Sequence, residues 1–577
     1  MSTVLAKRKN AMCCSWSRLR RRCLFYLKRY SLVMFWTGIN SLVFWTTYND
    51  YKRQPEHYYL HQILGSGLCL SRATAAVLNF NCFVIVLPMC RTVTSIFRSI
   101  FGGTTIKSIQ IWIEIGKSFH ILCAVTIVIA AVIHSAAHVV NAHNFSQYYN
   151  PHFPEINMAS YKYENSFLMI IRSVPGITGL CMIVILFLLI TSSLKRIRTA
   201  FYNLFWFTHR LFILFLLLLF CHPMGGVLKE QSNVDKHVPG CIPVNATLEN
   251  LLSKPADHPI CKEAPVFVPQ SSETWKWIVA ALVVYGIDVA IRLIRRCSAV
   301  QVLALRIYGG SVLELRLLKA GFRALPGQYV LLQCPAISSF EWHPFTVSSC
   351  PTEKEPSFTL HIRTKGDWSY SLQRHLLEEM GFSGLNIKSS ELLVNPHRNV
   401  TGLYVDGPFC SNSESVRNYE ISICIAGGIG VTPFVSILTY LRVDGNVGKM
   451  QRLHFIWVCR EIETFLWFAD LLCDLHRTFW DKNKPDFLDI QLYLTCPSIG
   501  TIVRGMIGEQ YGLLEARLHI GRPKWKKVFR NWTEIYEKIR VGVFCCGPRS
   551  LSRQVGKVCK EAKISGGTFV YHKESFS

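Results

Sequence analysis

The chain has 577 residues, enough for more than one domain, and carries 63 Lys and Arg against 37 Asp and Glu, a formal net charge of +26. Hydrophobic residues make up 50% of it and mean hydropathy is +0.23, which points to membrane spans. The 22 cysteines lack framework spacing, which excludes a small disulfide-stapled domain, and the basic residues gather beside apolar runs, which favours a membrane over nucleic acid.

Met1 to Arg29 is rich in Lys and Arg and has no apolar stretch with a small-residue cleavage site. Residues 1–30 therefore read as a basic cytosolic segment, not a removable signal peptide. Six apolar stretches follow, near 31–48, 63–89, 117–141, 174–193, 204–222 and 275–294. Each approaches the ~20 residues that a spanning helix needs. Basic clusters lie at Arg91, Arg98 and Lys107, at Lys195, Arg196 and Arg198, and at Arg292, Arg295 and Arg296. If six spans alternate, these share one side with the N-terminus, and the positive-inside rule makes that side the cytosol. The sequons at Asn144 and Asn245 then fall outside and those at Asn399 and Asn531 inside.

The third stretch contains His120, His134 and His138, and the fifth His209 and His222. Ionisable groups inside a span are costly and mark function. Offsets of fourteen and thirteen residues are close to four turns, ~20 Å along a helix. Both helices run outward, so His120 pairs with His209 at the inner level and His134 with His222 at the outer level. Two levels of paired imidazoles suit two haems, each with two axial histidines. The alternative is interhelical hydrogen bonding. Such iron has no free position, so oxygen must be held beside it electrostatically. Arg72, in the outer part of the second span, and His138, one turn beyond His134, are candidates; a snorkelling arginine is the other reading.

After residue 297 the texture changes. Runs at 302–307 and 329–332 alternate as strands, and 421–426, 453–458 and 541–545 read as buried strands with helical stretches between. This is β-rich structure followed by alternating β and α. His343-Pro344-Phe345-Thr346 is a weak motif alone. Arg363 suits a pyrophosphate, or else lies on a basic surface strand. Gly427 to Phe434 is a glycine-rich turn between a strand and a helix, with Gly428 and Gly430 open to a phosphate and Pro433 suited to the first helical turn. Arg460, after the next strand, suits a 2′-phosphate. Cys546, with Cys545, Gly547 and Pro548, ends another strand, as part of a nicotinamide pocket or as an inert buried thiol.

Together these motifs resemble the NADPH oxidase family over about 24–577, carried by Leu78-Asn79-Phe80-Asn81-Cys82, His343 to Thr346, Asp406-Gly407-Pro408-Phe409, Gly427 to Phe434 and Cys546-Gly547-Pro548. Pro239-Gly240-Cys241, Phe468 to Cys473 and the ending Lys573 to Ser577 are similar to its peroxide-releasing branch. The resemblance implies a six-span α-helical haem domain (31–296), then a cytosolic ferredoxin-reductase-like module. That module comprises a β-barrel FAD domain (297–415) and an α/β NADPH domain (416–577). It implies two haem b groups on His120 with His209 and His134 with His222. It implies FAD on His343, Pro344, Phe345, Thr346 and Arg363, and NADPH on Gly428, Gly430, Pro433, Arg460 and Cys546. Phe576 would cover the flavin, and Arg72 and His138 would form the oxygen-reducing centre. In the peroxide-releasing branch a histidine and two cysteines of the last outer loop promote dismutation; here they match His237, Cys241 and Cys261. The implied partner is the cytochrome b light chain, and the implied sites are the endoplasmic reticulum and plasma membrane. Cys410 stands where the family has glycine, and Met1 to Arg22 has no counterpart in it. The rivals are a transmembrane ferric reductase and a non-enzymatic redox-sensing or proton-conducting scaffold.

Overall fold

The computed structural model describes residues 30–100, 106–241, 261, 263–308, 312–380, 392–394, 402–443, 445, 447–496, 511–537, 539–564 and 567–574. Residues 1–29 of the basic segment, Asn245, Asn399 and Phe576 lie outside them. The chain divides into two units, one formed by Leu27–Cys90 and Ile115–Ile287, the other chiefly by Arg91–Glu114 and Asp288–Ser577.

The first unit is helical. Residues 30–53 form α1 and Ser66–Val84 form α2. After α3, Arg91–Ile100 of the other unit, come α4 (Ile106–Gln147), α5 (Val174–Ser193), α6 (Tyr202–His209), α7 (Phe212–Cys221) and α8 (Thr274–Arg296). Among the described residues, five stretches are long and apolar enough to cross a membrane: Ser66–Met89, Gly116–Gln147, Val174–Ser193, Tyr202–Gly225 and Thr274–Arg296. They match the second to sixth expected spans. Ser173 caps α5 by accepting from the Gly176 N–H, with a proline in the first turn. α5 then exposes Ile183, Val184 and Phe187 on its outer surface, as lipid contact requires. The helices meet around Cys82, Ile127, Met182, Leu216, Leu219 and Ile278, one or two from each of α2, α4, α5, α7 and α8. An outer hairpin pairs β1 (Lys229–Gln231) with β2 (Phe267–Pro269).

The fifth span is not one regular α-helix. Between α6 and α7 the chain makes three-residue bonds, Arg210 N to Phe207 O (3.2 Å), Leu211 N to Thr208 O (3.1 Å) and Ile213 N to Arg210 O (3.1 Å). A straight α-helix turns ~100° per residue, so thirteen residues would leave His222 ~140° from the face of His209. The tighter turn advances ~120° per residue and supplies part of the missing rotation. The pairing of His222 with His134 therefore does not rest on straight α-helical geometry alone.

The second unit contains a barrel and a parallel sheet. Strands β3 (Ala299–Tyr308), β4 (Val312–Leu318), β5 (Tyr329–Gln333), β6 (His343–Ser349), β7 (Phe358–Arg363) and β9 (Leu403–Phe409) pair in the order β4-β7-β6-β5-β9-β3, and β3 returns to β4 to close the ring; β8 (Leu392–Val394) adds to β3. Closure leaves the six strands no free edge. α9 (Asp367–Glu379) buries Trp368, Leu372, Leu376 and Leu377 in the barrel core. The sheet has the order β13-β12-β11-β10-β14-β15, all pairs parallel, from β10 (Ile421–Gly427), β11 (Arg452–Cys459), β12 (Leu488–Leu494), β13 (Leu518–Ile520), β14 (Val541–Cys546) and β15 (Phe569–Glu574). β10 is buried throughout, because helices cover both faces: α10 (Thr432–Val443) and α11 (Ala469–Asp481) on one, α12 (Trp525–Ile535) and α13 (Arg549–Ile564) on the other.

Asp406 of β9 is fully buried and its Oδ2 accepts from Arg292 Nε (3.2 Å) and from Arg296 Nε (3.1 Å) and Nη2 (2.9 Å) at the end of α8. Lys319 donates to the carbonyls of Arg295 (2.7 Å) and Val405 (2.6 Å). Asp288, one turn earlier in α8, accepts from the first amides of α3 at Thr92 (2.8 Å) and Val93 (3.2 Å). A buried acid is tolerable only when paired and hydrogen-bonded in this way. Cys410, directly after β9, lies with its Sγ 3.7 Å from Ser95 Oγ of α3.

Candidate functional site

Four histidines of the helical unit form two pairs. His120 and His209 have ring centroids 6.2 Å apart, and His134 and His222 have theirs 6.3 Å apart. An imidazole nitrogen sits ~2 Å from a bound metal and the ring centre ~1 Å further, so two imidazoles across one ion have centres ~6 Å apart. Both pairs fit that spacing. In α4, His120 and His134 are fourteen residues apart on one unbroken helix, ~21 Å along its axis.

The Nδ1 atoms are all engaged. His120 Nδ1 lies 3.0 Å from Ile85 O, His134 Nδ1 3.0 Å from Ser71 O and 3.2 Å from Thr74 Oγ1, His209 Nδ1 3.4 Å from Ser193 Oγ and His222 Nδ1 2.9 Å from Thr178 Oγ1. A carbonyl only accepts, so His120 and His134 carry their proton on Nδ1 and present a bare Nε2. Thr178 Oγ1 already donates to Val174 O (2.6 Å), so it accepts from His222 in the same sense. This is the outer hydrogen bonding that orients imidazoles for a metal.

A cavity of 280 Å³ adjoins the outer pair, with Arg72, His134, His138, His222 and Gln270 in its wall. His138 stands edge-on to His134 at 4.5 Å. Arg72 Nε donates to Tyr51 Oη (3.0 Å), and among the described residues Arg72 has no carboxylate within ion-pair distance and no partner for its Nη nitrogens. Residues 226–228 and 270–272, flanking the last outer loop, also line the cavity.

In that loop the structure brings His237, Cys241 and Cys261 together, and the two sulfurs form a disulfide. Neither cysteine therefore has a thiolate to offer. His237 is buried and its Nδ1 donates to Glu263 O (2.9 Å), so its Nε2 accepts from Tyr59 Oη (2.6 Å). Sequence reading missed Tyr51, Tyr59 and Gln270. A tyrosine at a membrane edge reads as an interfacial aromatic, so it carries no other signal.

In the barrel, His343 begins β6, stacks on Trp368 at 4.0 Å and meets Glu341 at 3.1 Å. Burial holds its imidazole below the ordinary value, with Glu341 opposing. Strand alternation puts His343 and Phe345 on the Trp368 side and Pro344 and Thr346 on the other, so the four do not share one face. Thr346 is buried opposite Tyr329 of β5. Arg363 ends β7, exposed and without a side-chain partner among the described residues, four positions before α9.

The sheet reverses direction of travel at β10, with β11 on one side and β14 on the other. Ligands of such sheets bind outside the carboxyl ends of the strands at this point. Gly428 and Gly430 follow β10, Cys546 ends β14 and Arg460 follows β11, all on that edge. A Cβ on Gly430 would lie 2.6 Å from Cys546 O, so the two turns are in backbone contact. Gly428 has φ +55° in open space, and Pro433 is the second residue of α10. Arg460 is exposed and has no side-chain partner among the described residues. Cys546 is buried and its thiol is pushed well up, first by burial and then by Glu574. Glu574 ends β15 opposite Cys546.

Three family models match: "Ferric reductase like transmembrane component" over 74–220, "FAD-binding domain" over 297–413 and "Ferric reductase NAD binding domain" over 419–560. The chain is 44% identical to NADPH oxidase 4 of Mus musculus over 572 residues, covering 94% of this chain and 97% of that one. It is 44% identical to NADPH oxidase 4 of Homo sapiens over 569 residues, covering 94% and 96%. It is 34% identical to NADPH oxidase 3 of Homo sapiens over 581 residues, covering 94% and 98%.

Proposed function

The chain belongs to the NADPH oxidase family, and from that premise we propose that it carries electrons from cytosolic NADPH across a bilayer to molecular oxygen, releasing hydrogen peroxide and superoxide. When bound, NADPH supplies a hydride, FAD divides the pair into single electrons, and two haem b groups conduct them outward to oxygen. The observation that carries this reading is the pair of histidine pairs, 6.2 and 6.3 Å between centroids, with every Nδ1 engaged.

His120 and His209 hold the inner iron, and His134 and His222 the outer one. The glycine-rich turn and the start of α10 cradle the NADPH pyrophosphate, and Arg460 takes the 2′-phosphate. Arg363 and the start of α9 take the flavin pyrophosphate, and Phe576 shields the flavin. Arg72 and His138 face dioxygen at the outer end. Arg72 holds the developing anion, since its guanidinium has no carboxylate of its own among the described residues. The Cys241–Cys261 disulfide ties the last outer loop beside His237, the imidazole of that loop that favours peroxide as product by passing a proton to superoxide. The partner is the cytochrome b light chain, and the membranes are the endoplasmic reticulum and plasma membrane.

The test is to purify the chain with the light chain, add FAD and NADPH, and record haem bands and oxygen products. Low-spin bands that reduce with NADPH, with oxygen consumed and peroxide formed, are expected. Reduced haem that only ferric iron can drain would replace the oxidase with a ferric reductase.

A further inference from the structure

The cavity arginine is held by a chain of side chains outside the motifs described above. Tyr51, near the end of α1, accepts from Arg72 Nε (3.0 Å) and from Gln270 Nε2 (2.5 Å). Its ring lies flat on that of buried His57, 4.4 Å away at 5°. Burial holds the Glu230 carboxyl of β1 above its ordinary range, and the charges of Glu56 and Arg72 both reach it. The observed chain is amide, phenol, guanidinium, and among the described residues Arg72 makes no ion pair with Glu230. A cation and an anion that feel each other pair where their side chains are free to meet, and the hydrogen bond to Tyr51 ties the guanidinium elsewhere. An arginine that paired with Glu230 would have its charge neutralised before any ligand arrived.

We propose that Tyr51 is a positioning residue of the oxygen-reducing site: by taking the Nε–H of Arg72 it keeps the guanidinium off Glu230 and leaves both Nη nitrogens for an anionic dioxygen species in the cavity. This rests on the assignment of Arg72 to that site. His57 supplies the flat surface that fixes the Tyr51 ring, and Gln270 holds its hydroxyl with a second hydrogen bond. Tyr51 acts through Arg72 and carries no electron.

The test uses the full chain with haem and FAD, reduced by NADPH. Haem reduction is followed anaerobically, and the KM for oxygen is then measured. Tyr51→Phe is expected to leave anaerobic haem reduction unchanged and to raise the oxygen KM about tenfold, the lower end of what a hydrogen bond to a charged group is worth. Glu230→Gln placed on top of Tyr51→Phe is expected to recover most of that loss, because the competing anion is gone; a merely structural defect would not be rescued. An unchanged oxygen KM in Tyr51→Phe, with a raised one in Arg72→Ala, overturns the positioning role and leaves Arg72 in place. An unchanged oxygen KM in Arg72→Ala removes the oxygen-site assignment and this proposal with it. If Tyr51→Phe fails to take up haem, Gln270→Leu instead removes the second hydrogen bond on the Tyr51 hydroxyl: a rise in the oxygen KM, rescued by Glu230→Gln, is expected, and no rise overturns the proposal.

Discussion

Thr178 and Gly430 show how single atoms tune the two ends of the molecule. Thr178 accepts the Nδ1 proton of His222 while donating to its own helix. Thr178→Val keeps the volume and removes the acceptor. Haem affinity at the outer pair is expected to fall about 10- to 100-fold, the usual effect of losing an outer hydrogen bond to a metal ligand, as read by haem titration of the apoprotein. Gly430→Ala forces a Cβ to 2.6 Å from the Cys546 carbonyl, and backbone on both sides leaves it nowhere to go. It should raise the KM for NADPH at least about tenfold by moving the two turns apart. Gly428→Ala meets no atom but must hold φ +55°, a strain of about 1 kcal/mol. It should cost stability more than affinity, and equal KM effects from both variants would contradict this division.

At the scale of elements, the hold of β15 depends on a buried acid. Glu574 accepts from Ser413 N (2.6 Å) and Oγ (3.0 Å), and burial raises its carboxyl from the ordinary 4.5 to about 7. The folded chain thus keeps a proton that the unfolded chain releases above about pH 4.5. Its docking is most secure below that pH and weakens by up to about 3 kcal/mol as pH rises to 7 and beyond. Glu574→Gln should flatten this slope in thermal melts between pH 5 and 7.5; an unchanged slope would mean that another group is responsible. The end of α8 is held the other way, by a charged acid between two arginines. Asp406→Asn leaves those cations without their counter-charge, and a stability loss of about 2–4 kcal/mol is expected in flavin-fluorescence melts.

At the scale of the whole molecule, sidedness is the property to test. Asn144 is half-buried, with Nδ2 donating to Leu64 O (3.1 Å), and Ser146 is buried with Oγ on Glu164 O (2.7 Å), so that sequon is built into the fold. With an outer last loop, the glycosidase-sensitive mobility shift should vanish in Asn245→Gln and persist in Asn144→Gln. Modification of Asn531 instead would invert the membrane orientation.

The second to sixth spans, the parallel strands and the glycine-rich turn were legible because each writes a local period or composition into the chain. An apolar stretch of about 20 residues has few alternatives, and a buried strand ending in Gly427-Gly428 before a helical pattern has few as well. The histidine levels were legible as pairs, but their alignment was not. It depends on tighter bonds at Arg210 to Ile213, which nothing in an all-apolar helix announces. The separation of His343 and Phe345 from Pro344 and Thr346 follows from strand alternation once the strand is known. The partners of Arg72 and His237 could not be read at all. Tyr51, Gln270, Tyr59 and Glu263 reach them from distant positions in the chain. By itself the sequence determined which groups can carry the chemistry, since residue type sets that. Only the tertiary structure decided which nitrogen of His120, His134 and His222 is bare and which side chain takes the Arg72 Nε–H, because hydrogen bonds between remote segments exist only after the chain has packed.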